Sequence, residues 1–193
     1  MNYNVAVVGA TGMVGRKMLQ VLAERKLPIN ELYLFASAKS AGKKVEFMGK
    51  EYTVIELTEE NVRARKVDIA LFSAGAGTSK TFAPVFADCG AVVIDNSSQW
   101  RMDPSVPLVV PEVNAYDIDW NKGIIANPNC TTIVSLVAIN ALNQDSPIES
   151  IIASSYQATS GAGAGGPKEL MDEVELLREG KPVEPKVFQY QIA

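Results

Sequence analysis

One thiol stands out among the residues that could do chemistry. Cys130 lies in Asn127-Pro128-Asn129-Cys130-Thr131-Thr132, after an apolar strand-like run and before a helix-like one. A thiol at such a turn meets the N–H groups and dipole of the new helix, which favour the thiolate and make Cys130 a candidate nucleophile. Its usual partner is missing, because the 193 residues contain no histidine. The activating base is therefore another residue type or lies outside this sequence. The second cysteine, Cys89, precedes Gly90 in the last turn of an expected helix and reads as a small buried hydrophobe.

A second constellation concerns a cofactor. Gly9-Ala10-Thr11-Gly12-Met13-Val14-Gly15 is a G-x-x-G-x-x-G variant of the dinucleotide fingerprint, placed between the first strand and the first helix. Glycine there permits a tight turn and lets backbone N–H groups approach a pyrophosphate at the helix N-terminus. A glycine turn chosen only for close packing is the competing reading. An NAD site usually places an acid about 20 residues further on. Here Phe35 to Lys44 has no acid but offers Ser37, Lys39 and Ser40, which suit the 2′-phosphate of NADP. The small residues Ser73, Ala74 and Gly75 follow another strand and are expected to lie against the same cofactor.

Arg101, the only arginine between Arg65 and Arg178, follows a strand in Asp95-Asn96-Ser97-Ser98-Gln99-Trp100-Arg101. Its planar fork suits a phosphate or carboxylate, although a surface ion pair would also explain it. Asn96 in the same loop is expected to bind substrate or phosphate with it, and Asp95 to cap the turn. Gly161 to Lys168 resembles a phosphate loop only superficially. Pro167 separates the last glycine from Lys168, and Glu169 stands where the magnesium-binding hydroxyl belongs.

The elements that must position these residues alternate. Strands are expected at Tyr3 to Val8, Leu32 to Ala36, Val67 to Ser73, Ala91 to Asp95 and Ile124 to Ala126. Helices are expected at Met13 to Arg25 and at Thr78 to Cys89, ending at Gly90. A hairpin, Val45 to Phe47 with Tyr52 to Ile55, is appended. This is an α/β pattern, a doubly wound, mostly parallel Rossmann-type sheet with ligands at the carboxyl ends of its strands. After Pro128 the pattern changes to a helix over Thr131 to Asn143, a strand over Ile148 to Gln157, an irregular glycine run and a helix over Pro167 to Arg178. Residues 1–128 are expected to form an NADP-binding domain and 129–193 the beginning of a second, α+β domain, for which the family resemblance given below implies a catalytic and dimerisation role. The strand-like Phe188 to Ala193 has no partner, so the chain is expected to be part of a longer polypeptide.

Composition excludes several classes. A net charge of -4 without a basic block argues against nucleic acid. Two cysteines without histidine provide neither a usual zinc set nor a disulfide framework, so no metal is expected and a cytoplasmic setting fits. No signal peptide or run of about 18 apolar residues indicates secretion or a membrane span.

Taken together, the Gly9–Gly15 fingerprint, Asp95-Asn96-Ser97-Ser98, Val110-Pro111-Glu112-Val113-Asn114, Asn127–Thr132 and Tyr156-Gln157-Ala158-Thr159-Ser160-Gly161-Ala162-Gly163 resemble the aspartate-β-semialdehyde dehydrogenases. The resemblance implies NADP-dependent interconversion of 4-aspartyl phosphate and aspartate semialdehyde, leading to lysine, methionine, threonine and diaminopimelate. It implies Cys130 as nucleophile, Gln157 as the residue orienting substrate and Arg101 as a phosphate ligand. Thr11, Gly12, Met13, Val14, Lys39, Ser40, Ser160 and Gly161 are implied as cofactor contacts. In the family the acid/base is a histidine beyond the stretch matched here, so these residues alone are expected to be inactive. The whole protein is expected to be a homodimer or homotetramer. A non-catalytic NADP-binding module is the alternative. N-acetylglutamyl-phosphate reductase is disfavoured, because its usual Gly-Cys-Tyr is here Asn129-Cys130-Thr131.

Overall fold

A computed structural model describes residues 2–193, in two compact units, one reaching to Ile151 and one spanning Ile152–Ala193. In the first unit the order is β1 (Tyr3–Val8), α1 (Met13–Glu24), β2 (Ile29–Ala36), β3 (Lys44–Phe47), β4 (Lys50–Thr53), β5 (Ile55–Glu56), α2 (Glu59–Arg63), β6 (Ile69–Phe72), α3 (Ala76–Asp88), β7 (Val92–Asp95), α4 (Pro111–Asn114), β8 (Ile124–Ala126) and α5 (Cys130–Asp145). Six strands form one sheet in the order β5-β2-β1-β6-β7-β8, with every pairing parallel. The order reverses between β1 and β6, and a crevice opens there at the carboxyl edge.

Alternate residues of β1 face opposite cores. Val5 and Val7 pack with Leu19 of α1 and with Leu32 and Leu34 of β2, while Ala6 and Val8 pack with Phe35, Phe72, Phe86 and Val93. Burial on both sides explains why the strands read as nearly continuous apolar runs. Phe86 of α3 meets the ring edges or faces of Phe35 and Phe72 at 5.6 and 5.3 Å, both close to perpendicular. The β3–β4 hairpin turns at Met48 and Gly49, both with positive φ, and its Phe47 joins the α1 side of the core.

Several expectations need correction. Ile55 does not extend the hairpin but pairs with Phe35 as the edge strand β5. Glu59–Arg63 forms a helix that apolar periodicity is too short to reveal; Thr58 caps it by accepting from the Asn61 N–H. Ile148 to Gln157 is not a strand, because no described strand pairs with it, and Phe188 to Ala193 is not one either. Cys89 is exposed rather than buried. The buried stripe of α3 is Ser79, Ala83 and Phe86; Cys89 falls off it, with its Sγ 3.9 Å from Arg63 Nη1.

In the second unit the glycine run is more regular than expected. Thr159–Ala162 forms a 3₁₀ turn and α6 spans Gly165–Arg178. The two are pressed together, for a Cβ on Gly166 would overlap the Thr159 carbonyl. Two buried carboxylates on α6, Glu169 and Glu173, then gather the following segment. Glu169 accepts from the N–H groups of Lys186, Val187 and Phe188 at 2.9, 2.6 and 3.0 Å, and Glu173 from those of Ile192 and Ala193 at 2.8 and 3.0 Å.

Two outcomes follow from this packing. Phe86→Ala removes the ring shared by two others and is expected to cost about 3–5 kcal/mol in denaturant unfolding of the whole protein; a loss under about 1 kcal/mol would contradict the packing. The Glu169 carboxyl is pushed up by desolvation, but the Phe188, Val187 and Lys186 N–H groups and the Lys186 charge outweigh this and hold it below the ordinary glutamate value. Its contribution to stability is therefore full above the unfolded value of about 4.3 and lost as pH falls through the lower folded value. The amide shifts of Lys186, Val187 and Phe188 are expected to titrate together with a midpoint below about 4.3, and a midpoint at or above it would refute the clasp.

Candidate active site and cofactor cradle

The fingerprint turn is built on missing side chains. Gly9 has φ of 88°, and a Cβ on it would overlap the Ser73 carbonyl at the end of β6. A Cβ on Gly15 would overlap the Gly9 carbonyl, and Gly12 donates its N–H to that carbonyl at 3.0 Å. Gly15 thus serves packing of helix against turn, whereas Gly9 and Gly12 face outward onto a cavity. No side chain caps α1 and no acid lies in its first turn, which leaves its positive end to a ligand.

That cavity, of about 500 Å³, is lined by Gly9, Thr11, Gly12, Ser37, Ser73 and Ala74 among others. Six of the expected cofactor residues are brought together there. Leu57, Thr78 and Phe82 also line it and were not anticipated; Thr78 and Phe82, four apart on α3, share one face as i and i+4 residues do. Lys39 and Ser40 lie in a 3₁₀ turn, Ala38–Ser40, directly after β2, with Lys39 exposed. Gly75, with φ of 84°, starts α3 but does not line the cavity. Met13 and Val14 are half-exposed on α1. Val14 lines a second, apolar cavity of about 300 Å³, together with Leu71, Ile94, Asn96 and Asn127.

At the carboxyl ends of β7 and β8 the loops are tied together. Arg101 donates its Nε–H to the Asn127 carbonyl at 3.0 Å and an Nη2–H to the Asn96 carbonyl at 3.1 Å. Asn127 donates its side-chain amide to Asn96 Oδ1 at 2.6 Å. Arg101 therefore uses part of its fork on backbone, which favours neither a surface ion pair nor a wholly free anion clamp; its Nη1 has no hydrogen-bond partner among the described residues. Asp95 is fully buried and accepts from the Ser97 hydroxyl at 2.6 Å, and Ser97 Oγ in turn accepts from the Gln99 N–H. The expected cap is thus corrected: Ser97 caps the turn, and Asp95 acts one step behind it by holding the Ser97 hydroxyl.

Cys130 is the first residue of α5 and is exposed, and the helix is capped by Asn129, whose Oδ1 accepts from the Thr131 N–H at 2.9 Å. Two residues, Pro128 and Asn129, thus separate the thiol from the Arg101-held carbonyl of Asn127. In the second unit the Gln157 side-chain amide lies against Gly161, where a Cβ would collide with Nε2. Ser160 and Gly161 belong to the 3₁₀ turn beside it. Among the described residues no group of three or more His, Cys, Asp or Glu side chains could hold a metal, and no helix is long and apolar enough to cross a membrane.

Gly9→Ala is expected to lower stability by about 1–3 kcal/mol through the strained φ alone, with the overlap on Ser73 adding to it. Chemical denaturation of the variant measures this, and an unchanged midpoint would contradict the close approach.

Residues 4–121 match the family model "Semialdehyde dehydrogenase, NAD binding domain", and residues 139–193 match "Semialdehyde dehydrogenase, dimerisation domain". The chain is 55% identical to the aspartate-semialdehyde dehydrogenase of Aquifex aeolicus, a match covering all of this chain and 57% of that protein. It is 45% identical to the corresponding Bacillus subtilis protein, over 98% of this chain and 56% of that one. The crystal structure of aspartate semialdehyde dehydrogenase II from Vibrio cholerae superposes with a TM-score of 0.90 at 47% identity, over the whole of this chain and 58% of its own. The structure of the same enzyme complexed with ASA gives 0.91. The chain spans a little over half the length of these relatives. With an NAD-binding model matched across its parallel sheet and a glycine cradle at the sheet's switch point, the chain belongs to the semialdehyde dehydrogenase family.

Proposed function

We propose that the whole protein is an NADP-dependent aspartate-semialdehyde dehydrogenase, a cytoplasmic homodimer or homotetramer that converts 4-aspartyl phosphate to aspartate semialdehyde for lysine, diaminopimelate, methionine and threonine synthesis. The observation that carries this reading is Cys130, exposed at the capped start of α5 beside the loops tied by Arg101. The names of the similar proteins support it. The family descriptions over 4–121 and 139–193 support a boundary near residue 128 between a cofactor domain and a catalytic and dimerisation domain. The exposed apolar residues of α5, Val134 and Leu142 among them, support an element that is covered in the assembled protein.

The Cys130 thiolate attacks the acyl carbonyl; the new C–S bond replaces the C–O bond, and phosphate leaves with that electron pair. Arg101 offers its Nη1 edge to the departing phosphate while its other donors hold the loops. Asn96 borders the same site through its bond to Asn127, and Gln157 orients the acyl group. The remaining N–H groups of the first α5 turn lie where negative charge grows on the carbonyl oxygen, an effect worth about 3 kcal/mol per donor. NADPH, held by the residues around Gly9, Thr11 and Gly12, would supply the hydride for reduction.

The chain's own cradle fits that cofactor. Gly9, Thr11 and Gly12 admit the pyrophosphate, with Met13, Val14 and Gly15 forming the first turn of the helix behind it. Ser73, Ala74 and Gly75 line the approach to the α3 start, and Ser160 and Gly161 are read as further cofactor contacts on the family resemblance. Ser37, Lys39 and Ser40 stand after β2 without an acid, which favours a 2′-phosphate.

Phosphate-dependent reduction of NADP by aspartate semialdehyde tests the reading in the whole protein. Cys130→Ala is expected to abolish turnover while NADP still binds; retained turnover would refute the nucleophile. Lys39→Ala is expected to raise KM for NADP about tenfold, the loss of one charge-assisted contact, and to leave NAD unaffected. The 193 residues alone, with no histidine, are expected to show no turnover, and activity from them would overturn the account of the acid/base.

A further inference from the structure

We propose that Glu169 is a positioning residue for the glycine turn that carries Ser160 and Gly161, an inference that rests on the reading of those two residues as cofactor contacts. A relay of contacts within the second unit joins the two. Glu169 is buried in the middle of α6, yet its carboxylate touches none of the turn; it spends both oxygens on three consecutive backbone N–H groups, those of Lys186, Val187 and Phe188. Those bonds fix Val187, and Val187 packs onto Gly165, where a Cβ would stand only 3.1 Å from its Cγ2. Gly165 opens α6, and the next residue, Gly166, presses against the Thr159 carbonyl so closely that no side chain fits. Thr159 begins the 3₁₀ turn that holds Ser160 and Gly161.

A carboxylate gathering successive amides is an uncommon way to anchor a segment. Backbone donors usually find carbonyls, and a buried acid usually finds a cation. Here the charge is matched only by N–H groups and by Lys186 nearby, and the segment it holds is neither strand nor helix. Among the described residues, Glu169 is the one α6 side chain hydrogen-bonded to residues 186–188, and Gly165 meets Val187 by packing alone. Removing the carboxylate would free Val187 and with it the brace on the α6 start, while leaving every proposed cofactor contact chemically intact.

The test uses the whole protein and two variants, Glu169→Ala and Glu169→Gln, the second keeping one acceptor oxygen. Expected results are a rise of about tenfold in the dissociation constant for NADP, read by direct titration, in E169A and a smaller rise in E169Q, as befits loss of charged hydrogen bonds. Deuterium exchange of residues 159–166 is expected to quicken in both, and KM for NADP to change more than kcat. Ser160→Ala separates the layers of the argument. Weaker NADP binding in S160A but not in either Glu169 variant overturns this inference alone. Unchanged binding in S160A overturns the reading of the turn as a cofactor contact, and this inference with it. If E169A fails to fold, E169Q carries the test, and unchanged exchange at 159–166 in E169Q overturns the relay.

Discussion

The contact between Gly9 and the carbonyl of Ser73 governs the carboxyl edge of the sheet. A hydrogen atom on Gly9 allows the end of β1 to lie against the end of β6, and any side chain would force the two apart. From that approach follow the tight turn into α1, the close seat of Gly15 on the Gly9 carbonyl, and a helix N-terminus whose first turn is free of competing acids. The cavity bounded by Thr11, Ser37 and Ala74 exists because backbone, not side chains, forms its floor. Backbone of this kind offers directed N–H groups at no cost in side-chain entropy, which suits a polyanionic ligand.

The other end of the same edge is held differently. Where β7 and β8 finish, a guanidinium and two asparagines hold the two loops together at Asn96 and Asn127. Asp95 and Ser97 stiffen the first of these loops from beneath. The Asn129 cap then sets the direction of α5 and the place of its first residue. Polar ties of this sort are geometrically exacting, so the thiol's surroundings are fixed by direction as well as by burial.

Much of this was legible in the residues. The parallel sheet announced itself through apolar runs ended by small residues, and Gly90 stands past the end of α3 with positive φ as its position implied. The glycine cradle was legible because its three glycines fall at fingerprint spacing between the first strand and the first helix. Leu57 and Phe82 were not, since apolar side chains in a binding wall look like core until the fold brings them to an edge. The segment around Ile152 and Tyr156 reads as a strand by composition, but a strand is defined by pairing, and none of the described residues pairs with it. Glu169, noted only as a departure from a phosphate loop, hid its role for a related reason: on a helix of mixed charge it resembles a solvated acid, and only the fold shows it turned inward.

The place of β1 in the sheet order has a consequence for how the protein is made. Synthesis delivers β1 before β6, yet Val5 must find Ile69, and Val8 must find Phe72, across more than sixty intervening residues. β2 can satisfy one edge of β1 early, while the other edge remains an open row of amides beside an apolar strand until the ribosome has released residue 72. Sheets closed by such long-range pairing fold slowly and expose aggregation-prone edges in the meantime. The β1 edge that faces β6 is therefore the last part of β1 to be covered as the chain lengthens.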